Sequence, residues 1–252
     1  MKNEIILWLC SIVLVFLIGY FKNVTDSNYP VTGTFGIEGK KVSYKLDRVA
    51  YEKSSYKNYI LTDIEGIEAS LLLQNNSEES SFRYSIIDKG LMCQIPKLAP
   101  GQKINYKVIL SYKNNSFEIP KKEFVTLTFW GSIPTFVRAI YFILMYGVIL
   151  LTLRGLLEAF TKNVNLKKFM FINCTLLLLL ITIIYPLYIS YKLEAINHFV
   201  PTLGNLTDPW LLIVLLSWIV GTILIFKAKY VKTVSSLISV MTLLIFFFEL
   251  MK

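Results

Sequence analysis

Residues 123–153 read EFVTLTFWGSIPTFVRAIYFILMYGVILLTL, and the pattern of the chain changes within them. Apolar and polar residues alternate as far as Trp130, as in a strand with one buried face. The run 133–153 is apolar except for Arg138 and is long enough for a helix to cross the hydrocarbon core of a bilayer. Pro134 suits the first turn of such a helix. The stretch therefore predicts a β domain joined, with almost no linker, to a transmembrane helix.

The composition agrees with a membrane protein, because 54% of the 252 residues are hydrophobic and only 17% are charged. A spanning helix requires roughly 20 apolar residues. The predicted transmembrane helices are residues 5–21 within an N-terminal anchor (1–21), 133–153, 169–191, 209–226 and 233–250. The last four form a predicted four-helix domain over residues 133–252, and residues 22–132 form the domain between it and the anchor.

The first apolar run follows a basic residue, Lys2, as in a secretory signal peptide. No small-x-small cleavage site follows the run. The sequence LWLC ends at Cys10 but has Leu9 where a lipoprotein box needs a small residue. We therefore expect an uncleaved signal anchor.

Short flanks rich in lysine and arginine stay in the cytoplasm. Two segments are basic in this way, one between the second and third predicted helices and one between the fourth and fifth. Their basic residues are Arg154, Lys162, Lys167 and Lys168 in the first segment and Lys227, Lys229 and Lys232 in the second. We expect a cytoplasmic N-terminus, with residues 22–132 and the C-terminus outside, in a bacterial inner membrane. The net charge of +9 is thus a topology signal and does not indicate nucleic-acid binding.

Residues 103–113 alternate most clearly and predict a half-buried strand. Asn114 and Asn115 supply a turn after it, and Glu38-Gly39 supplies a second hairpin turn. The predicted strands are 31–37, 41–47, 68–74, 82–88, a short piece around Cys93, 103–113, 116–119 and 123–130. About seven strands at this spacing are typical of a β-sandwich, and we predict an immunoglobulin-like one outside the cytoplasm.

Cysteine and histidine are too few for the common metal and redox sites. Cys10 and Cys174 lie in apolar runs, so Cys93 is unpaired outside the membrane unless it bridges to another protein. His198 is the one histidine. No phosphate loop, GxGxxG, GxSxG, HExxH, paired CxxC or EF-hand motif is present. We therefore predict no catalytic, cofactor-binding or metal site, no cofactor, and a protein that is not an enzyme.

Arg138 and Glu249 are the charges that fall inside the predicted spans. A charge there is costly unless it is paired or reaches an interface. In the predicted topology both residues lie toward the outer leaflet. One hypothesis is that they form an intramembrane ion pair joining the second and fifth helices. The other is that each side chain snorkels separately to its own interface.

A stripe of small polar residues follows one face of the fifth predicted helix. Ser235, Ser239 and Thr242 occupy positions i, i+4 and i+7. Such a stripe either lets helices pack closely, with Ser217 and Gly221 of the fourth helix as a matching surface, or lines a polar path. We favour packing.

Residues 123–138 contain a phenylalanine-x-glycine-x-x-proline junction made by Phe129, Gly131 and Pro134. Residues 206–221, LTDPWLLIVLLSWIVG, open with leucine-threonine-aspartate before a later helix. The two passages resemble a family of uncharacterised bacterial integral membrane proteins with an anchored outer β domain. After the tripeptide, this chain has proline and tryptophan where that family has asparagine and lysine. The resemblance implies architecture only.

The leading functional prediction is a non-enzymatic subunit or assembly and scaffold factor of a larger membrane complex, docking through its outer β domain. Its partners would be the lipid bilayer and other membrane proteins or further copies of the chain, and not nucleic acid. The alternative is a small oligomeric transporter or channel component with a path along the fifth helix, at Ser239 and its neighbours. A membrane-embedded enzyme is a third reading, for which no nucleophile paired with a base is visible.

Overall fold

The computed structural model describes residues 2–51, 55–75, 78–113, 115–121, 123–161, 166–195, 208–227 and 231–250. The chain separates into two compact units. The first, which we call the β unit, comprises Asn28–Ser132 and Lys192–Glu194. The second, the helical unit, comprises Met1–Ser27, Ile133–Tyr191 and Ala195–Lys252. Each unit has a hydrophobic core of its own.

Two sheets make up the β unit. Its strands in the described ranges are β1 Val31–Ile37, β2 Lys40–Leu46, β3 Val49–Ala50, β4 Tyr56–Thr62, β5 Glu68–Asn75, β6 Glu78–Arg83, β7 Ser85–Ile87, β8 Gly90–Ile95, β9 Lys103–Tyr112, β10 Asn115–Ile119 and β11 Val125–Phe129. One sheet has the order β1-β2-β4-β8-β7. The other has the order β3-β11-β9-β5-β6, and β10 follows β11 along the same edge of β9. The pairing of β3 with β11 is parallel, whereas the other strand pairs in the described ranges are antiparallel.

Alternate residues of both sheets pack into one core. Val42 and Ile60 of the first sheet and Leu71, Tyr106 and Leu127 of the second are fully buried. Successive side chains of a strand point to opposite faces, so this core requires the period-two pattern of the sequence. The predicted mixed fold of β sheets and apolar helices is confirmed, but an immunoglobulin-like sandwich is not.

The strand list differs from the prediction at three places, one of which is β3, Val49–Ala50, two residues outside every predicted strand. Strand β4, YKNYILT, is not among the predicted strands, because Asn58 and Thr62 interrupt its inward-facing apolar positions. The predicted strand 82–88 is divided at Tyr84, which separates β6 in one sheet from β7 in the other. Polar residues on an inward face and a strand that changes sheets both weaken the alternation signal.

The two predicted hairpin turns are present, one of them shifted. Glu38 and Gly39 both have positive φ, 48° and 80°, as the tight turn between β1 and β2 requires. In the second hairpin Asn115 already pairs with Tyr112, and Lys113 has φ 48°. The turn between β9 and β10 therefore begins one residue earlier than Asn114-Asn115, and Asn114 itself is outside the described residues.

The helical unit contains five helical rods in the described ranges. They are α1 Lys2–Thr25, α2 Thr135–Glu158, α3 Leu166–Leu179 continuing into α4 Tyr185–Lys192, α5 Pro209–Lys227 and α6 Val231–Leu250. A π-helical turn, Leu180–Ile184, joins α3 to α4 just before Pro186, whose ring nitrogen has no hydrogen to donate.

Four of these rods are long and apolar enough to cross a membrane, which indicates a membrane protein. They are Glu4–Thr25, Thr135–Glu158, Leu166–Lys192 and Pro209–Phe226. The last predicted span, 233–250, lies within α6, and the part of α6 whose side chains are described, Val231–Phe247, is apolar. Length and composition therefore support four of the five predicted spans.

Helix α2 is longer than its predicted span, and this changes the place of two charges. The predicted span ends at residue 153, with Arg154 in a cytoplasmic segment, whereas α2 continues to Glu158. Arg154, Leu156 and Leu157 are good helix formers and sustain the helix through Gly155. Arg154 and Glu158 are therefore helical residues of the packed unit and do not belong to a wet loop.

A side-chain cap begins α5, and a glycine lets α5 approach α6 closely. Asp208 Oδ1 accepts a 2.8 Å hydrogen bond from the Trp210 amide and so caps the N-terminus of α5, in which Pro209 is the first helical residue. Helix α5 packs on α6 at Gly221, where an added Cβ would lie 2.0 Å from Cδ1 of Ile238. Helix α2 contacts α1, α3 and α6. Small residues thus set how closely α5 and α6 approach.

Candidate functional sites

A buried ion pair lies near the C-terminal end of α2. The Arg154 guanidinium donates from Nη1 to Oε2 of Glu158, one helical turn further on. Arg154 is 2% exposed and Glu158 is 3% exposed. Charges so deeply buried are rare in helical membrane proteins and are the first place to look for a role.

Aromatic rings from two other helices enclose this pair. The Arg154 guanidinium lies 5.5 Å from the ring of Trp8 on α1 and 4.9 Å from the ring of Phe169 on α3. The two rings meet edge to face, 6.1 Å apart. Arginine over an aromatic face is attracted by the ring quadrupole. The site therefore joins α1, α2 and α3 in one contact.

Sequence reasoning missed this site because Arg154 was assigned to a basic loop. The available signal was the spacing Arg154-x-x-x-Glu158, which places opposite charges one turn apart on a helix. The pair has almost no exposed surface. Its geometry indicates a structural role, in which the pair on α2 holds α1 and α3 in contact with α2.

The predicted stripe on α6 lies inside the packed unit. Ser235, Ser239 and Thr242 are each 0% exposed. Thr242 Oγ1 accepts a 2.8 Å hydrogen bond from Nε1 of Trp218 on α5. The hydroxyls of Ser235 and Ser239 have no hydrogen-bond partner among the described residues.

The two α5 residues of the predicted matching surface are placed differently. Gly221 is buried against α6, as described above. Ser217 is half-buried, and its hydroxyl donates to the carbonyl of Val214 in its own helix at 2.7 Å. The close approach of α5 to α6 thus depends on the glycine.

A second polar contact, absent from the sequence prediction, joins α2 and α3. Nδ2 of Asn173 donates to Oγ1 of Thr152 at 2.9 Å, and both residues are fully buried. Thr152 in turn donates to the carbonyl of Val148 at 2.8 Å. Side-chain hydrogen bonds of this kind hold membrane helices together. The signal for it in the sequence was an asparagine within an apolar run.

The predicted pair Arg138–Glu249 stays a prediction. Arg138 is half-buried in α2, and its amide donates to the carbonyl of Pro134 at 3.0 Å. Glu249 lies near the end of α6, where the side chain is outside the described residues.

The β unit contains its own buried polar network, centred on Asn58. The Tyr84 hydroxyl donates to Oδ1 of Asn58 at 2.6 Å, and Nδ2 of Asn58 donates to the carbonyl of Lys45 at 3.3 Å. The Tyr56 hydroxyl accepts from Nδ2 of Asn58 at 3.4 Å and donates to Oδ2 of Asp47 at 3.0 Å. These bonds satisfy the asparagine that weakened the strand signal of β4.

Burial keeps the tyrosines of this network protonated. Desolvation raises the pKa of Tyr56 to about 12, and it also raises the pKa of Tyr84 and Tyr106. The Tyr106 hydroxyl donates to the Asp47 carbonyl at 2.8 Å. The network pins the end of β2 to strands of both sheets.

The three cysteines are free thiols. Cys93 is 3% exposed, and burial raises its thiol pKa. A buried thiol of raised pKa is a poor nucleophile and is unavailable for a bridge to a partner without opening the core. Cys93 therefore acts as a small core residue of β8.

The outer face of the first sheet carries exposed apolar side chains. On β4, Tyr59 is 44% exposed and Leu61 is 55% exposed. Tyr59 pairs with Met92 of β8, and Ile87 of β7 pairs with Gly90, which lies opposite Leu61. We call Tyr59, Leu61, Ile87 and Met92 the apolar patch.

Within the described part of the chain, no group of three or more histidine, cysteine, aspartate and glutamate side chains is arranged to hold a metal ion. Comparisons of the chain with protein-family models, curated proteins and solved structures find no match. The resemblance at the Phe129–Pro134 junction therefore stays an expectation about architecture.

Proposed function

We propose that this chain is a non-enzymatic subunit or assembly and scaffold factor of a larger membrane complex, docking through its β unit. The observation that supports the proposal is the apolar patch. Central strands of a sheet with one wet face ordinarily alternate apolar and polar residues, whereas the outward positions of β4 after Lys57 are Tyr59 and Leu61. Apolar surface of this kind, bordered by polar residues, is typical of protein interaction sites.

The patch offers enough surface to matter for binding. Leu61 is about half exposed, so covering it would contribute roughly 1 to 1.5 kcal/mol. Tyr59 adds an aromatic ring with a polar tip, a residue type enriched in the centres of interfaces. Lys57 and Gln94, which pair on the same outer face, supply a polar border.

The proposal includes the topology and place of the protein. We infer that α1 is an uncleaved signal anchor in a bacterial inner membrane, with the N-terminus in the cytoplasm and the β unit outside. The basic segments of the sequence support this orientation. The immunoglobulin-like classification of the β unit also remains a prediction from strand spacing. In this arrangement the apolar patch would face partners outside the cytoplasm.

The alternative, an oligomeric transporter or channel component, would need a water-filled path along α6. Ser235, Ser239 and Thr242 have no exposed surface, which favours packing over conduction. Ser239→Leu is the matched test, because a path along this stripe requires flux to change while expression holds.

The test of the leading proposal is purification of the tagged protein from its native membrane in mild detergent, at native expression level. We expect stoichiometric partners with the unaltered chain and their loss with Tyr59→Ser and Leu61→Ser combined. Lys57→Ser is the control on the same strand and face, and it should retain the partners. A clean homo-oligomer, with no other protein at stoichiometric amount, would contradict the proposal.

A further inference from the structure

The open edges of the two sheets are not equally protected. Natural sheets protect an edge with short strands, charged residues or proline. In the described ranges, β7 and β3 are short, with 3 and 2 residues. Strand β6 carries the charged residues Glu78, Glu79 and Arg83. Strand β10 carries Glu118 and ends just before Pro120. Strand β1, VTGTFGI, has 7 residues without a charge or a proline. It is the long unprotected edge of the β unit.

The register shows which backbone groups β1 leaves free. Ile37 pairs with Lys40 across the two-residue turn, so the hydrogen-bonded positions are the odd-numbered ones. The amides and carbonyls of Thr32, Thr34 and Gly36 therefore point away from β2. All three residues are exposed. The edge presents a row of backbone donors and acceptors to an incoming strand.

A groove runs beside this edge. It has a volume of about 750 Å³ and separates β1 from β10 and the segment after it. Its aromatic lining includes Phe35 of β1 and Phe117 of β10, whose ring centroids are 5.9 Å apart, and Tyr44 of β2. An open edge next to a groove with an aromatic lining is an arrangement by which domains bind extended peptides, with the edge giving affinity and the groove giving selectivity.

The charge around the groove is basic. Glu38 accepts hydrogen bonds from Lys113 at 2.7 and 2.9 Å, and Glu118 is paired with Lys107. Lys121, which lines the groove, is exposed and has no ion-pair partner in the described part of the chain. The same holds for Lys41, which pairs with Gly36 of β1.

We propose that β1 binds an extended segment of a partner protein as an added strand, with a bulky apolar side chain in the groove and acidic residues near Lys41 and Lys121. The inference rests on the proposed docking function and assigns its site. A second copy of β1 fits the charge less well, because VTGTFGI brings no carboxylate and its hairpin adds another Lys41. A partner strand there would lie three strand spacings, about 14 Å, from β4. One partner can therefore cover both the edge and the apolar patch.

The test removes one edge amide without changing the hairpin. Thr34→Pro deletes an outward N–H, and its neighbour Gly33 tolerates the extended conformation that precedes proline. Thr34→Val is the matched control that keeps the amide. Binding is read by photocrosslinking of the full-length protein in its native membrane. The photoreactive residue benzoylphenylalanine replaces Thr32 on the β1 edge in one protein and, as a control on the apolar patch, Leu61 in another. Equal melting temperatures of the two Thr34 variants establish that both are folded.

We expect an adduct with the copurifying partner from position Thr32, unchanged by Thr34→Val and reduced at least about ten-fold by Thr34→Pro. Lys41→Glu and Lys121→Glu together should also reduce it. If a partner crosslinks from Leu61 and neither Thr34→Pro nor the lysine changes affect binding, the docking proposal stands and strand addition is wrong. If no partner copurifies at all, the docking proposal itself fails.

Discussion

The buried pair Arg154–Glu158 leads to the sharpest prediction. Arg154→Met removes the charge that pairs with the buried Glu158 carboxylate, while keeping a long apolar side chain between Trp8 and Phe169. We expect the helical unit to lose about 3 to 5 kcal/mol of stability. A Coulomb estimate agrees, because two unit charges about 4 Å apart at an effective dielectric constant of about 20 attract by about 4 kcal/mol.

The companion variants make this a double-mutant cycle. Glu158→Leu alone should be similarly damaging, because it leaves the arginine buried and unpaired at 2% exposure. Arg154→Met with Glu158→Leu should be close to neutral, since desolvation of both charges is then avoided. Two single losses of about 3 kcal/mol or more and a near-neutral double variant correspond to a coupling energy of about 6 kcal/mol or more. Lys168→Met, a change at an exposed lysine, is the control and should have little effect.

The assay uses the purified full-length protein in mild detergent and unfolds it by titration with a denaturing detergent. Tryptophan fluorescence reports the folded fraction at each step, from which the free energy of unfolding is obtained. Single substitutions that each cost less than about 1 kcal/mol, or whose effects add within about 0.5 kcal/mol, would contradict the prediction. Either result would mean that the pair is hydrated or that its helices are held by other contacts.

Three further predictions concern other parts of the chain. Gly221→Leu should lower the melting temperature, because its Cβ position already meets α6, whereas Gly147→Leu, with no atom within 4 Å, should not. Hydrogen bonds from Lys113 lower the pKa of Glu38. The Glu38 carboxylate therefore stabilises the fold above the ordinary carboxyl pKa, and this stabilisation is lost as pH falls through the lowered pKa. Glu38→Gln should remove this contribution to the fall of the melting temperature in acid. The pKa of Tyr56 is raised to about 12, so the free energy of unfolding should fall as pH rises from about 10 through 12. Tyr56→Phe should make this fall shallower. Melting curves at each pH measure the fall, and phenolate absorbance over the same pH range measures the ionisation of the tyrosines.

The β unit and the membrane helices were predictable from local pattern, because period-two alternation and long apolar runs are properties of neighbouring residues. The alternation of β9 predicted a strand, and β9 is the central pairing partner of its sheet. The Glu38-Gly39 turn followed from two residues that adopt positive φ. The Asp208 cap followed from its position just before a proline.

Strand β4 was not predictable in the same way. Its burial depends on Asn58, a polar residue that is tolerated in the core because Tyr84, 26 positions away, donates a hydrogen bond to it. No local pattern reports a partner so distant in the chain. The open edge of β1 was hidden for the same reason, since a strand is an edge only when the pairing of every other strand is known.

The sequence by itself determined that this chain has apolar helices of membrane-spanning length before and after a β domain in the chain, because hydrophobic length and period are local quantities. It also determined that the cysteines of the chain have no disulfide framework to build. Only the tertiary structure decided that Arg154 is buried between Trp8 and Phe169, that Gly221 is the close contact of α5 and α6, and that Tyr59 and Leu61 are left uncovered. Burial is set by residues that are distant in sequence and adjacent in space. It decides whether a charged residue holds helices together or is solvated, and whether an apolar side chain belongs to the core or to a docking surface.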